Sequence, residues 1–325
     1  MSRAAEGEIL SGNIGIVLKD QRILSELCGV NDSNLKAIEE LIGARVLSRG
    51  NELFLESDDS GKHVLFRRLI SGLEKQVHAG QIPGRDLVRA LYESYNHSAH
   101  GDGGLSNNHI VLPSGVKVFP RSLKQAAYIE AMNSSDLSFA IGPAGTGKTY
   151  LAVAHALREV LGKKKRRLVL TRPVVEAGEN LGFLPGDLSQ KISPYLKPLY
   201  DAMDAFVNYD LISRMEENRA IEIAPLAYMR GRSLRDSYII LDEAQNTTKE
   251  QMKMFLTRLG EGSQAVVTGD VTQIDLPSKS QSGLLHAREI LSDIGEITFT
   301  EFTVTDVVRH SLVQKIVQAY ESKNS

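Results

Sequence analysis

The chain has 325 residues, 42% hydrophobic and 24% charged, with a formal net charge of −2. That length holds about two domains, each with a sizeable core, and the near-zero charge leaves any nucleic-acid contact to a local patch. A single cysteine, Cys28, excludes an internal disulfide and a cysteine-rich zinc site. There is no basic leader followed by an apolar stretch and no run of transmembrane length, so the expectation is a cytoplasmic protein with no membrane partner.

Residues 1–95 read as one small α/β domain. Ile14–Leu18 is a predicted strand, Asp20–Cys28 a short helix, and Ser33–Ile42 a second helix capped by Asp32 or Ser33. Ala44–Ser48 and Glu52–Glu56 flank Arg49-Gly50-Asn51, the pattern of a hairpin. Lys62–Val77 carries Val64, Leu65, Leu69, Leu73 and Val77 on one side of a helix, and Gly84–Tyr95 adds another. The order β-α-α-β-β-α resembles a KH domain, an RNA-binding module whose first two helices are joined by a GxxG loop. The junction here is Gly29-Val30-Asn31-Asp32, with an aspartate in place of the second glycine, where its charge opposes a phosphate. RNA binding and a docking or oligomerisation role both fit this domain. Residues 96–108 are glycine-rich and polar and read as a linker; His97 and His100 within it have no third ligand nearby.

Residues 109–325 alternate apolar strands with amphipathic helices, as in a parallel sheet covered on both faces. The predicted strands are Leu137–Ile141, Leu168–Thr171, Ile221–Ala224, Tyr238–Asp242, Ala265–Thr268 and Ile297–Thr300. The first runs into Gly142, Pro143, Ala144, Gly145, Thr146, Gly147, Lys148 and Thr149, a full phosphate-loop pattern between a strand and a helix. Its glycines open backbone conformations closed to other residues, so that successive N–H groups can surround a phosphate at a helix N-terminus. Lys148 supplies a point charge for the β- and γ-phosphates, and the Thr149 hydroxyl is a ligand for Mg²⁺.

The other polar residues singled out fall at the carboxyl ends of these strands, where open α/β sheets bind ligands. Asp242 ends an apolar strand and is the expected second Mg²⁺ ligand. Beside it, Glu243 is placed to orient a water for attack on the γ-phosphate, which favours hydrolysis over transfer to a metabolite. Asp270 and Gln273, after the next buried strand, are expected near the γ-phosphate, with Gln273 as a sensor of hydrolysis. Gln125, one helix upstream of the loop, carries the paired donor and acceptor that read adenine, and the guanine-reading Asn-Lys-x-Asp is missing, so ATP is the expected nucleotide. The transporter signature Leu-Ser-Gly-Gly is also missing. Arg172, Arg230 and Arg232 are the basic residues expected to meet RNA, while Lys163–Arg167 follows a helix end and suits the dipole there. Arg309, near the C-terminus, is a possible transition-state cation in cis or in trans.

Together, Gly142–Thr149, Thr171–Pro173, Glu179–Gly186, Met229–Ser233, Asp242–Gln245, Gly269–Gln273 and Asp306–His310 resemble the PhoH family of cytoplasmic ATPases over residues 106–325. The resemblance implies a RecA-like P-loop NTPase domain, similar to the nucleotide-binding half of superfamily-1 helicases, with a link to RNA metabolism. It implies no nuclease, because the RNA-cutting domain of some longer relatives has no counterpart in the first hundred residues. About 220 residues hold one RecA-like domain, so the expectation is a ring-like homo-oligomer in which Arg309 or a nearby cation completes a neighbour's site. The overall expectation is an ATP- and Mg²⁺-dependent hydrolase acting on RNA. The alternative is an ATP-gated assembly module acting on a protein partner without nucleic acid.

Overall fold

A computed structural model of the protein describes residues 9–10, 13–97, 105, 107–174 and 188–307. The chain divides into two compact units, one reaching to His109 and including Phe119–Ala126, the other holding Ile110–Val118 and the described residues from Ala127 onward.

In the first unit, β1 (Ile9–Leu10), β2 (Asn13–Val17), β3 (Arg45–Arg49) and β4 (Glu52–Glu56) form an antiparallel sheet in the order β1-β2-β4-β3. Alternation decides which face is buried. Ile14 and Ile16 pair with Leu55 and Leu53, and all four are sealed off with Val46 on one side. Helices α1 (Gln21–Cys28), α2 (Ser33–Ile42), α3 (Ser60–Ala79) and α4 (Arg85–His97) complete the unit. Cys28 is buried in its core. Asp20 caps α1 by accepting from the Arg22 N–H at 2.8 Å, and Asp59 caps α3 by accepting from the Gly61 N–H at 2.7 Å. The β-α-α-β-β-α order matches the sequence pattern, with β1 as an added edge strand and α4 running two residues into the predicted 96–108 linker. At the α1–α2 junction, Gly29, Asn31 and Asp32 all have positive φ (72°, 54° and 57°), and Val30 between them is 82% exposed. Asp32 thus occupies a left-handed position that glycine would take without strain.

The second unit begins with a small hairpin of β5 (Ile110–Val111) and β6 (Lys117–Val118), followed by α5 (Leu123–Ser134), whose first residues belong to the first unit. Six parallel strands follow: β7 (Leu137–Ile141), β8 (Arg167–Arg172), β9 (Ile221–Pro225), β10 (Ser237–Leu241), β11 (Gln264–Gly269) and β12 (Ile297–Glu301). Their order is β12-β7-β11-β10-β8-β9. The helices between them are α6 (Lys148–Leu161), α7 (Leu188–Asp204), α8 (Tyr209–Glu217), α9 (Lys249–Leu256) and α10 (Gly283–Leu291).

Every residue of β7, β10 and β11 is buried, and the two faces feed separate cores. Tyr238 and Ile240 pack with α6, whereas Ile239 and Leu241 pack with α9 and α10. Burial on both faces is why these strands read as unbroken apolar runs in the sequence. The chain leaves β7, passes two strand positions and continues in β8; β10 and β11 later fill the gap. The loops after β7, β11 and β10 therefore leave the sheet side by side. Register fixes this, with Ile141 opposite Gly269 and Val267 opposite Leu241.

A buried polar cluster joins the sheet to α6. His155 is 1% exposed, and its Nε2 lies 2.7 Å from Arg158 Nη2, which can only donate. Nδ1 therefore carries the proton and donates to the Tyr238 hydroxyl at 2.8 Å. Burial first, then the charges of Arg158 and Lys164, holds His155 well below its ordinary 6.5. The unfolded chain accepts a proton near 6.5 that the folded chain refuses, so this contribution is complete above that pH and declines below it. We expect His155→Gln to flatten the pH dependence of stability between about pH 7 and pH 5, by up to ~1.4 kcal/mol per pH unit relative to the parent. Urea midpoints of both proteins across that window test this, and parallel curves would refute it.

Candidate functional site

The loop between β7 and α6 is shaped by its glycines. Gly142 has φ +152°, and a Cβ there would lie 2.5 Å from the Phe302 carbonyl oxygen, so neither conformation nor space admits a side chain. Its N–H donates to the Gly269 carbonyl at 3.0 Å, extending the ladder one residue past the sheet edge. Gly145 and Gly147 also have positive φ, 84° and 83°, and Lys148 then opens α6. Lys148 is buried, and its Nζ donates to the carbonyls of Gly142 (2.7 Å) and Pro143 (2.8 Å) and, at 3.4 Å, to the Thr146 hydroxyl. The ammonium thus stands inside the loop with its direction fixed by the backbone it serves.

Asp242 follows β10 directly and is buried, with its N–H donating to the Thr171 carbonyl of the neighbouring strand at 2.9 Å. Its Oδ1 accepts from the Thr149 hydroxyl at 2.7 Å and from the Thr268 hydroxyl at 2.6 Å. Thr268 lies on β11, between β7 and β10, so that its hydroxyl meets Asp242 only across the sheet. The Thr149–Asp242 oxygen pair suits Mg²⁺, a hard ion that takes oxygen ligands at about 2.1 Å in an octahedron, usually with only one or two from protein. Oxygens this close can share one such coordination shell. Among the described residues no group of three or more His, Cys, Asp or Glu side chains is arranged to hold a metal elsewhere.

Glu243 adopts a left-handed backbone, φ +53°, unusual for a residue with a Cβ and costing on the order of 1 kcal/mol or more. Its side chain is held on both oxygens. Oε2 accepts from Gln245 Nε2 at 2.5 Å, and Oε1 lies 3.3 Å from Arg172 Nη2. Gln245 is fully buried and links two loops: its Nε2 also donates to the Gln273 carbonyl at 3.1 Å, and its Oε1 accepts from the Asp270 N–H at 3.0 Å. Asp270 in turn accepts from Gln273 Nε2 at 2.8 Å, from Thr272 N–H and hydroxyl at 2.9 and 2.6 Å, and from the Ala144 N–H of the phosphate loop at 3.1 Å. The loops after β7, β10 and β11 are thereby one hydrogen-bonded assembly. Their side chains line a cleft of about 260 Å³ that includes Ala144, Gly145, Gly147, Lys148, Thr149, Asp242, Glu243, Asp270 and Gln273.

The remaining sequence-predicted residues are distributed differently. Gln125, in the first unit, is buried with its Oε1 accepting from the Arg121 N–H at 2.7 Å. Of the three arginines expected to face RNA, Arg172 is ion-paired with Glu243 and donates to the Tyr195 carbonyl at 3.3 Å. Arg232 forms a two-pronged pair with Glu222, at 2.5 and 2.7 Å, and that hydrogen bonding holds the Glu222 carboxyl below its usual range. Arg230 is exposed. After α6 ends at Leu161, the backbone N–H groups of Lys164 and Lys165 donate to the Glu159 carbonyl at 2.9 and 3.1 Å. Arg309, His100 and the Glu179–Gly186 loop lie outside the described residues. No helix among the described residues is long and apolar enough to cross a membrane.

Known proteins resemble the chain over most of its length. The profile of the family described as "PhoH-like protein" matches residues 117–321. A PhoH-like protein of Bacillus subtilis (strain 168) is 45% identical over 309 residues, covering 94% of this chain and 97% of that protein. Protein PhoH of Escherichia coli (strain K12) is 44% identical over 208 residues, 62% of this chain and 58% of that one. Among solved structures, the SWI2/SNF2 ATPase core of Sulfolobus solfataricus in complex with dsDNA has a TM-score of 0.33 at 15% identity, over 55% of this chain and 43% of that one. That likeness is too remote to bear on function.

Proposed function

Because the chain belongs to the PhoH-like protein family and its second unit is a P-loop NTPase fold, we propose that it is a cytoplasmic Mg²⁺-dependent ATPase that couples hydrolysis to RNA binding or remodelling. The observation that carries the hydrolytic reading is the convergence of Lys148, Thr149, Asp242 and Glu243 on one cleft. In this reading the loop amides and Lys148 bind the phosphates, and Thr149 and Asp242 hold the magnesium. That ion, when bound, would neutralise charge on the phosphate oxygens. Glu243 orients the attacking water and receives its proton. Gln273, tied to Asp270 and through it to Ala144, registers whether the terminal phosphate is present. Arg309 is the arginine finger of a homo-oligomer in this reading.

A second reading has one observation in its favour: two of the three arginines expected to meet RNA, Arg172 and Arg232, are engaged within the chain. In that reading ATP gates assembly with a protein partner and nucleic acid plays no part. Steady-state ATP turnover with and without single-stranded RNA, at one stated salt concentration, separates the two. The RNA-coupled reading expects turnover to rise several-fold with RNA. Equal rates in RNA, DNA and buffer would overturn it in favour of the assembly module. Light scattering on the same samples reads whether copies associate.

A further inference from the structure

Resting on the reading that the cleft holds a nucleoside triphosphate, we propose that Tyr150, backed by Phe206, is the platform on which the purine ring of that nucleotide stacks. Lys148 and Thr149 open α6 and turn to the loop and to Asp242; Tyr150 is the next residue and lines the same cleft. It is 43% exposed, whereas α6 from Leu151 to Leu157 is buried at every position. Its plane is nevertheless fixed, because the buried ring of Phe206 lies 4.6 Å away, centroid to centroid, at 45°.

The chemistry of the lining points the same way. The other described residues of the cleft offer glycine backbone, an ammonium, a hydroxyl, carboxylates and an amide, which suit phosphate, cation and water. A purine needs a flat apolar face, and among the described residues lining the cleft Tyr150 is the sole aromatic one. Stacking on it adds affinity through the π-face, independent of the phosphate contacts.

The test is to titrate ATP and inorganic tripolyphosphate, each with magnesium, onto the parent protein, Tyr150→Ala and Tyr150→Phe. Tyr150→Ala is expected to weaken ATP on the order of ten-fold or more, the loss of one base–aromatic stack, while tripolyphosphate binds as in the parent. Tyr150→Phe is expected to bind both ligands as the parent does. Parent-like ATP affinity in Tyr150→Ala would overturn the proposal. So would equal weakening of both ligands, which would mean that the side chain only supports the loop. A parent protein that binds neither ligand would overturn the phosphate-site reading itself, an outcome distinct from failure of the platform alone.

Discussion

Replacing Glu243 with glutamine is expected to slow ATP turnover by roughly 10²- to 10⁴-fold, the range for loss of a general base, while ATP affinity stays within a few-fold of the parent. The substitution keeps size and shape and removes the lone-pair basicity that a water needs. It leaves untouched the loop, Lys148 and the Thr149–Asp242–Thr268 cluster that would carry phosphate and cation. Glu243 is also set apart by geometry: its left-handed backbone is held between Gln245 and Arg172, and unfavourable conformations of this kind persist where the surroundings over-determine them. The two quantities separate by pairing single-turnover hydrolysis with equilibrium binding of ATP. Parent-like turnover in the variant would place the base elsewhere.

Lys148→Ala should act one step earlier. The ammonium is buried and makes charged hydrogen bonds to two loop carbonyls. Its loss removes the one cation among the described residues lining the cleft and leaves those carbonyls short of a donor. Hydrogen bonds to a charged group contribute about 1.5–3 kcal/mol each, so ATP affinity should fall roughly 10- to 100-fold, with turnover lost at concentrations that saturate the parent. Isothermal titration with ATP measures the first effect, and a thermal melt shows whether the fold survives. A folded Lys148→Ala variant with parent affinity would mean that the triphosphate sits elsewhere. The two variants divide binding from chemistry: Glu243→Gln should retain ATP and fail to hydrolyse it, whereas Lys148→Ala should fail to retain it.

The central strands were legible because burial on both faces writes them as continuous apolar runs. β7 matches its predicted bounds, and β10 and β11 lie within a residue of theirs. The phosphate loop was legible for a related reason, since its chemistry is local and its glycines are adjacent. What could not be read were contacts that exist only across strands. Thr268 is an ordinary threonine in a buried strand until the order β7-β11-β10 sets it beside Asp242. Gln245 stands in the Asp242–Gln245 motif, yet its role as the bridge between Glu243, Gln273 and Asp270 depends on residues 25 to 28 positions away. Arg172 reads in the sequence as a cation expected to meet RNA because its place at a strand end is visible there and its partner is not. Glu243 follows β10, which is two strands along in the sequence but adjacent to β8 in the sheet. The edge strand β1 spans two residues, too short to carry a periodic signal.

The strand order has a consequence for how the molecule comes into being. β7 is made early in its unit, but both of its neighbours, β11 and β12, are made last. Ala144 and the Asp270 carboxylate that accepts its N–H are separated by 126 residues. During synthesis the glycine loop emerges long before anything exists to brace it, and no fragment ending short of β11 can assemble the pocket. Nucleotide affinity is therefore a property of the finished sheet, and ligand occupancy should stabilise the whole unit against unfolding rather than one loop of it.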